Sequence, residues 1–362
     1  MTVTTRELNR WTLARQHLLD RVPLRAAEAV ESLAGMQAQS PSAPYVGLWS
    51  RLDDFAVADL EEALRAGTVV KTTVMRGTLH LVATSRLAAF RLATGSSYYD
   101  ATSKLLTGLG VDLDAIRAHV VSQVEQRPMS RTEVYRLIAE QIPEPHPAWV
   151  AERPSAVAAL SVTTDLVNAP DDALHAATGK SRYRVLRTDP PNQLDAARQV
   201  ARDYLAAYGP ATTADLAAWA GRPARAFSDA LATLDLVRWK AEEGRTLLDL
   251  ADAPRPPPDV PAPVRFLPRW DSVLLAHARR ERIITAEHRK LVIASNGDVA
   301  PTFLVDGVVA GTWDVPRQGP DVVTLRALRP LGRDDKRAVA DEGRRLLAWL
   351  RPEAAKPQLA WA

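Results

Sequence analysis

The sequence contains no cysteine, which excludes disulfide bonds and thiolate metal sites. It has no apolar run long enough to span a membrane, and its first ten residues lack the hydrophobic segment of a signal peptide. Its seven histidines are scattered, and no two of them stand at metal-ligand spacing beside a carboxylate. We therefore expect a cytoplasmic protein that does not act at a membrane and needs no metal ion or other cofactor.

Sequence motifs of several common enzyme classes are also missing. The chain has no P-loop and no Gly-x-Ser-x-Gly elbow. Gly108 and Gly110 lack the third glycine and the preceding strand of a dinucleotide-binding site, and a turn is the simpler interpretation. Serine hydrolases and enzymes with nucleotide cofactors are therefore poor hypotheses for this chain.

Length and composition indicate a globular protein built from several modules. The 362 residues are 46% hydrophobic and 25% charged, which allows a sizeable core and two to four units. Only seven of the 46 basic residues are lysine, and the pI is about 9.2 at a net charge of +3. Arginine suits phosphate contacts, but GC-rich coding produces the same bias, so the arginine content alone is neutral.

Two glutamines flank one small residue just before a proline, in the segment Met36-Gln37-Ala38-Gln39-Ser40-Pro41. A helix predicted over residues 24–38 places Gln37 on its apolar face, where an amide needs partners or must face a cavity. Positions two apart on a helix point about 200° from each other, so the two amides converge only if the helix ends between them. Pro41 favours such a break. The alternative is an ordinary polar helix end.

The first unit, residues 1–110, has the element order of a winged helix. Helices are predicted at 7–20, 24–38 and 59–66, and a hairpin at 69–82. On the hairpin Arg76, Thr78 and His80 alternate with apolar residues and share one face. This polar face is a candidate to approach the two glutamines.

A second unit of the same kind is expected over residues 111–190. Ser130 and Glu133 form a capping-box pattern that predicts the start of a helix. Another helix is predicted at 153–167, and the wing is expected at 178–186.

The third unit, residues 191–252, has the clearest helix-turn-helix pattern. A capped short helix is expected to end at Gly221, a second helix is predicted at 225–234, and a hairpin at 236–250. A strap of residues 253–263 follows and contains six prolines, so no helix is expected there.

Residues 264–362 are predicted to form a β-rich C-terminal module. Strands are expected at 290–294, 299–305, 308–312 and 322–328, with turns at Asn296-Gly297 and Asp306-Gly307 and a final helix at 333–350. The predicted fold class is therefore α+β, with three tandem winged helix-turn-helix units and a β-rich C-terminal module. No heptad repeat or long exposed dimerisation helix is evident, so we expect a monomer.

The start of this module is locally basic. Between residues 264 and 290 seven basic side chains face three acidic ones, with Trp270 among them. A groove lined in this way attracts a nucleic-acid backbone, whereas the alternative is a solvated charged face. From this segment we predict a set of DNA contacts, namely Arg269, Arg279, Arg280, Arg282 and Lys290.

Five segments spread over most of the chain resemble one known family. They are Met36 to Pro41, Tyr45 to Leu52, Arg76 to Val82, Leu267-Pro268-Arg269-Trp270-Asp271, and Val305 to Trp313. Together they are similar to the AlkZ/YcaQ family of bacterial winged-helix DNA glycosylases. In that family a Gln-aliphatic-Gln or Gln-aliphatic-Asp motif carries base excision, so the resemblance implies Gln37 and Gln39 as the catalytic residues.

We predict a monofunctional glycosylase whose partner is duplex DNA with a bulky N7-alkylated guanine. The resemblance implies a role in self-resistance to a DNA-alkylating natural product. Glutamine does not titrate near neutral pH, but it can orient water and stabilise an oxocarbenium-like sugar when the leaving base is already cationic. Arg76, Thr78 and His80 are then predicted to contact DNA or to orient the site, although His80 has a purely structural alternative. For the whole chain the alternative is a winged-helix transcriptional regulator without catalysis.

Overall fold

The computed structural model describes residues 2–142, 165–173, 181–316, 320–354 and 356–362. Within these ranges the chain forms thirteen α-helices and fourteen β-strands, and the strands make four sheets. The predicted α+β class is confirmed. No helix in the described ranges is long and apolar enough to cross a lipid bilayer.

The described helices are α1 (Thr5–Arg15), α2 (Ala26–Ser32), α3 (Ala43–Trp49), α4 (Val57–Arg65), α5 (Thr84–Ala93), α6 (Ser97–Gly108), α7 (Leu113–Gln126), α8 (Arg131–Ala139), α9 (Gln193–Tyr208), α10 (Thr213–Ala220), α11 (Ser228–Ala232), α12 (Ala286–Val292) and α13 (Arg333–Leu350). The described strands are β1 (Thr2–Val3), β2 (Met36–Gln37), β3 (Val69–Thr73), β4 (Leu79–Ala83), β5 (Met129–Ser130), β6 (Leu166–Asn168), β7 (Arg182–Val185), β8 (Leu236–Ala241), β9 (Thr246–Leu250), β10 (Arg265–Leu267), β11 (Thr302–Val305), β12 (Val308–Asp314), β13 (Val322–Ala327) and β14 (Gln358–Trp361).

Side-chain caps set two helix starts where the sequence predicts them. Ser130 caps α8 and Thr212 caps α10, each in a reciprocal capping box with an acidic residue three positions on. Gly221 ends α10 in the left-handed conformation, with φ at 71°, which glycine adopts at little cost. The capped short helix and the hairpin β8–β9 of the third unit are confirmed, and the intervening helix forms as a 3-10 turn followed by α11.

The glutamine motif does not lie at the end of a helix. Helix α2 ends at Ser32, and Ala34 and Gly35 then take positive φ angles of 55° and 86°. The chain continues as strand β2, so the helix predicted over residues 24–38 is wrong beyond Ser32. A Cβ at position 35 would lie 3.0 Å from the carbonyl oxygen of Leu81, which explains why glycine stands where the chain turns against β4.

Three strands of the first unit form the sheet that carries the motif. Their order is β2-β4-β3, and both pairs are antiparallel, which confirms the hairpin predicted at 69–82. The sheet lies between two hydrophobic cores. One core includes Met36 and Leu81 together with Phe266 of the C-terminal module, and the other includes Val82 together with Tyr204 of α9. Strand β2 is therefore fixed by packing on both sides.

The second unit contains the sheet β5-β7-β6. Of the helix predicted at 153–167, residues 153–164 lie outside the described ranges. Its end is wrong, because Leu166–Asn168 is a strand that pairs with β7. Of the wing expected at 178–186, residues 178–180 are likewise outside the description, and Arg182–Val185 is confirmed as a strand.

The C-terminal module is a five-stranded sheet in the order β10-β11-β12-β13-β14, with α13 packed against it. The hairpin turn Asp306-Gly307 and the strand after it are confirmed. The strand predicted at 290–294 is wrong, because helix α12 runs to Val292. His288 and Val292 are both buried, and their spacing of four residues is helical.

Helix α1 lies at the junction of the third unit, the strap and the C-terminal module. The Arg15 guanidinium pairs with Asp249 of β9 at 2.7 Å, and both side chains are buried. The Trp11 indole N–H donates to the carbonyl oxygen of Pro256 in the strap at 3.0 Å. Asn9 donates to the carbonyl oxygen of Gly307 at 2.8 Å. One short helix thus holds three parts of the chain together.

Candidate active site

Gln37 belongs to a row of polar side chains that crosses the sheet. In the strand register it lies directly opposite His80 of β4, which in turn lies opposite Thr72 of β3. Residues opposite each other in antiparallel strands project from the same face. Lys71 is paired with Leu81 and therefore lies on the other face of the sheet.

Gln39 lies just beyond the end of β2. The backbone N–H of Ala38 donates to the carbonyl oxygen of Leu79 at 2.8 Å, so pairing with β4 continues past Gln37. The N–H of Leu79 donates to Oε1 of Gln39 at 3.2 Å. Strand β2 ends at Gln37, and the chain bends at Gln39. A strand end followed by a bend, and not a broken helix, therefore relates the two amides.

Gln37 lines a small cavity behind the sheet edge. Its side chain is 9% exposed, and within the described part of the chain its Oε1 has no hydrogen-bond partner. The cavity measures about 10 Å³, which is about the smallest volume that holds one water molecule. A buried amide oxygen without a partner costs free energy, so its position beside such a cavity points to a water or substrate contact.

Five polar side chains that the sequence argument missed also line this cavity. They are Gln16, Arg51, Tyr208, Asp271 and Ser272. Burial raises the pKa of Tyr208 to about 12, so its hydroxyl stays protonated and donates to the carbonyl oxygen of Leu33 at 3.0 Å. Arg51 and Asp271 stand inside two of the segments that carry the family resemblance, but nothing in their local pattern places them at the site.

His80 is buried beneath the motif. Burial, with a further contribution from the nearby Arg76 charge, lowers the pKa of His80 to about 3, so the imidazole is neutral. Its Nδ1 lies 2.9 Å from the carbonyl oxygen of Thr78 and can only donate there. The Thr78 hydroxyl in turn donates to the carbonyl oxygen of Met75 at 3.1 Å. Both side chains stabilise the hairpin on which Gln37 is paired.

Arg76 lies in the hairpin turn and not on its polar face. Its φ angle is 56°, and its guanidinium donates to the carbonyl oxygen of Trp219 at 2.7 Å. That carbonyl is in the last turn of α10, where a cation also interacts favourably with the helix dipole. Burial lowers the pKa of Arg76. This contact ties the hairpin to the third unit.

The predicted DNA contacts differ in how far they are exposed. Arg279 and Lys290 are exposed, Arg280 is half-buried, and Arg269 pairs with Asp298 at 2.6 Å. Arg282 is buried and donates to the carbonyl oxygen of Pro210 at 3.0 Å. The prediction that Arg282 contacts DNA is therefore wrong. Its partners come from distant parts of the chain, which the local count of basic residues could not show.

Gln39 lines an open groove that adjoins the cavity of Gln37. The groove measures about 710 Å³. Ala43, Pro268, Arg269 and Trp270 line both spaces. The two amides of the motif therefore face a deep, water-sized space and a wide outer one, with a shared wall between α3 and the C-terminal module.

Comparison with known proteins identifies a DNA glycosylase fold and family. The family model described as DNA glycosylase AlkZ-like matches residues 30–349. The chain belongs to this AlkZ-like DNA glycosylase family. It is 25% identical over 350 residues to an interstrand DNA cross-link repair glycosylase of Streptomyces sahachiroi, with 88% of this chain and 90% of that protein covered. The solved structure of the Streptomyces sahachiroi DNA glycosylase AlkZ has the same fold, with a TM-score of 0.80 at 20% identity over the whole of both chains.

Proposed function

We propose that this protein hydrolyses the N-glycosidic bond of N7-alkylated guanine in duplex DNA and leaves an abasic site. The observation that carries the proposal is the unpartnered Oε1 of Gln37 beside a water-sized cavity, with Gln39 at the adjoining groove. Family membership supplies the reaction class. The three winged-helix units and the monomeric state predicted from the sequence are part of the same proposal.

The chemistry follows from what a carboxamide can do. N7-alkylguanine is cationic. When the C1′–N9 bond breaks, its electron pair stays with the base and neutralises the positive charge of the purine. Oε1 of Gln37 accepts a hydrogen bond from the attacking water, whose oxygen bonds to C1′ while one proton passes to solvent. The two amide dipoles stabilise the oxocarbenium-like sugar. No titrating base is required, because the lesion itself activates the leaving group.

The sheet also favours hydrolysis over a lyase reaction. A bifunctional enzyme needs an amine that attacks C1′. Lys71 is the lysine of this sheet, and it lies on the face opposite Gln37. Burial lowers the pKa of Lys71, but its position on the sheet keeps it away from the glutamine row. We therefore assign a monofunctional reaction.

The surrounding residues divide into two groups in this proposal. His80, Thr78 and Arg76 position the strands that carry the glutamines, through the backbone contacts described above. Exposed and half-buried cations contact the DNA backbone, namely Arg269, Arg279, Arg280 and Lys290. The name of the Streptomyces sahachiroi relative, an interstrand DNA cross-link repair glycosylase, supports cross-linked DNA as a substrate. A role in self-resistance to an alkylating natural product is part of the same proposal.

A base-release assay tests the proposal. Duplex DNA with one N7-methylguanine is incubated with the protein and then treated with mild alkali, which breaks the strand at abasic sites. We expect strand breaks with the wild type and with Gln126→Ala, an exposed amide at the end of α7. Gln37→Ala and Gln39→Ala should bind the same DNA but release no base. Sequence-specific binding without base release by the wild type would identify a regulator instead.

A further inference from the structure

The groove beside Gln39 is large, and its lining is both apolar and polar. Its volume of about 710 Å³ lies within the range of about 300–1,000 Å³ that is typical of pockets for small organic ligands. Apolar side chains form much of its wall, including Val46, Pro268, Pro301, Trp313, Val315 and Leu350. Trp270 lies where this groove meets the cavity of Gln37.

Trp270 is held in an unusual backbone conformation. Its φ angle is 56°, a left-handed value that is rare for a bulky residue and persists only where its surroundings enforce it. The indole N–H donates to the carbonyl oxygen of Gly297 at 3.0 Å, which fixes the plane of the ring. The Arg269 guanidinium lies over one face of the ring, 5.4 Å from its centroid, and is itself held by Asp298.

The position of this ring relates it to both glutamines. Trp270 is half-buried and lines the spaces of Gln37 and of Gln39. A guanine whose C1′ faces the two amides has its N7 on the purine edge, and a substituent at N7 extends away from the sugar. The groove adjoins the amide site and shares four lining residues with its cavity, so it offers space for such a substituent.

We propose that this groove binds the bulky, aromatic substituent on N7 of the damaged guanine, with the Trp270 ring as the surface on which it stacks. The inference rests on the proposed function and names the substrate class of the same site. Apolar walls favour an aromatic hydrocarbon group. The face of an indole also attracts the positive charge that N7 alkylation gives to the purine.

Two substrates separate this inference from the proposed function. Duplexes carry either N7-methylguanine or N7-benzylguanine, and base release is measured to give kcat and KM for each. Trp270→Ala should lower kcat/KM for the benzyl adduct about 10-fold more than for the methyl adduct, mainly through KM. Trp270→Phe keeps an aromatic face, so it should regain most of the kcat/KM for the benzyl adduct that Trp270→Ala loses.

A second variant leaves Trp270 in place. Val315 is half-buried in the groove wall, so Val315→Trp narrows the groove without touching either glutamine. It should reduce release of benzylguanine at least about 10-fold while methylguanine release stays within about 2-fold. Ala338→Trp, an exposed position on α13, is the matched control and should change neither rate.

The outcomes distinguish the two claims. If the wild type releases neither base, the proposed function fails, and this inference fails with it. If it releases both, but Val315→Trp slows them equally or not at all, the groove does not bind the substituent. Selective loss of the benzyl substrate in Val315→Trp supports the inference even if Trp270→Ala does not fold.

Discussion

Arg51 and Asp271 form a buried bidentate ion pair, with Nη1–Oδ2 and Nη2–Oδ1 distances of 2.9 Å. Their side chains are 2% and 3% exposed. Asp271 also accepts from the backbone N–H of Val273 at 3.0 Å. The pair connects the residues just after α3 to the turn that carries Trp270. It thus sets the distance between the two walls of the groove.

Breaking this pair should destabilise the protein. Arg51→Met leaves the Asp271 carboxylate buried without its cation, and the free energy of unfolding should fall by about 3–5 kcal/mol. Asp341→Asn removes the exposed ion pair between Asp341 and Arg344 and should cost less than about 1 kcal/mol. Urea denaturation measures both. A loss below about 1 kcal/mol for Arg51→Met would show that the buried pair is dispensable.

Removing the unpartnered amide should stabilise the protein while it abolishes activity. Gln37→Leu replaces a buried oxygen that has no described partner with an apolar group of similar size, so the free energy of unfolding should rise by about 1 kcal/mol. Gln16→Leu is the matched control, since Nε2 of Gln16 donates to the carbonyl oxygen of Ala207 at 2.9 Å, and it should lower stability. A clear destabilisation by Gln37→Leu would contradict the structure around this oxygen.

The buried His80 predicts a pH dependence of stability. The pKa of His80 is about 3 in the folded chain, and its ordinary value of 6.5 applies in the unfolded chain. The unfolded chain therefore takes up the proton first as the pH falls. The stability due to neutral His80 is complete above pH 6.5 and is lost towards pH 3, by at most about 1.4 kcal/mol per pH unit. Urea denaturation between pH 7 and 4 gives the free energy of unfolding as a function of pH, and this dependence should be less steep for His80→Asn than for the wild type. An unchanged slope would mean that His80 titrates normally in the folded protein.

Arg76 should act through the hairpin and not through DNA. Arg76→Met removes the bond to the carbonyl oxygen of Trp219, so base release should fall while the salt dependence of DNA binding stays unchanged. Lys290→Ala removes an exposed cation and should reduce the slope of log K against log salt by about 1. A reduced slope for Arg76→Met as well would make Arg76 a DNA contact.

Local signals predicted the elements that depend on local chemistry. The capping box at Ser130 and the turn Asp306-Gly307 need only residues a few positions apart, and the structure confirms both. The strand of Gln37 could not be predicted in this way, because it is two residues long and exists through pairing with β4, more than forty positions away. The apolar spacing of α2 continues into this strand, so the pattern alone predicts one helix over both.

The same limit applies to the candidate site. The sequence singled out Gln37 and His80, which the sheet brings face to face, but gave no reason to join them to Tyr208 or Asp271. Those contacts arise where α9 and the C-terminal module pack on the first unit. Arg282 shows the converse error, since its charge suggested a surface position and its burial depends on α1 and Pro210.

Helix α1 has a consequence for how the chain is made. Its residues are synthesised before the residues that they bind, because Arg15, Trp11 and Asn9 bond to residues 249, 256 and 307. The helix therefore cannot complete its packing until these distant residues are present. Contacts of such long sequence separation slow folding. Until residue 307 has been synthesised, the contacts that α1 makes with the strap and the C-terminal module cannot all form.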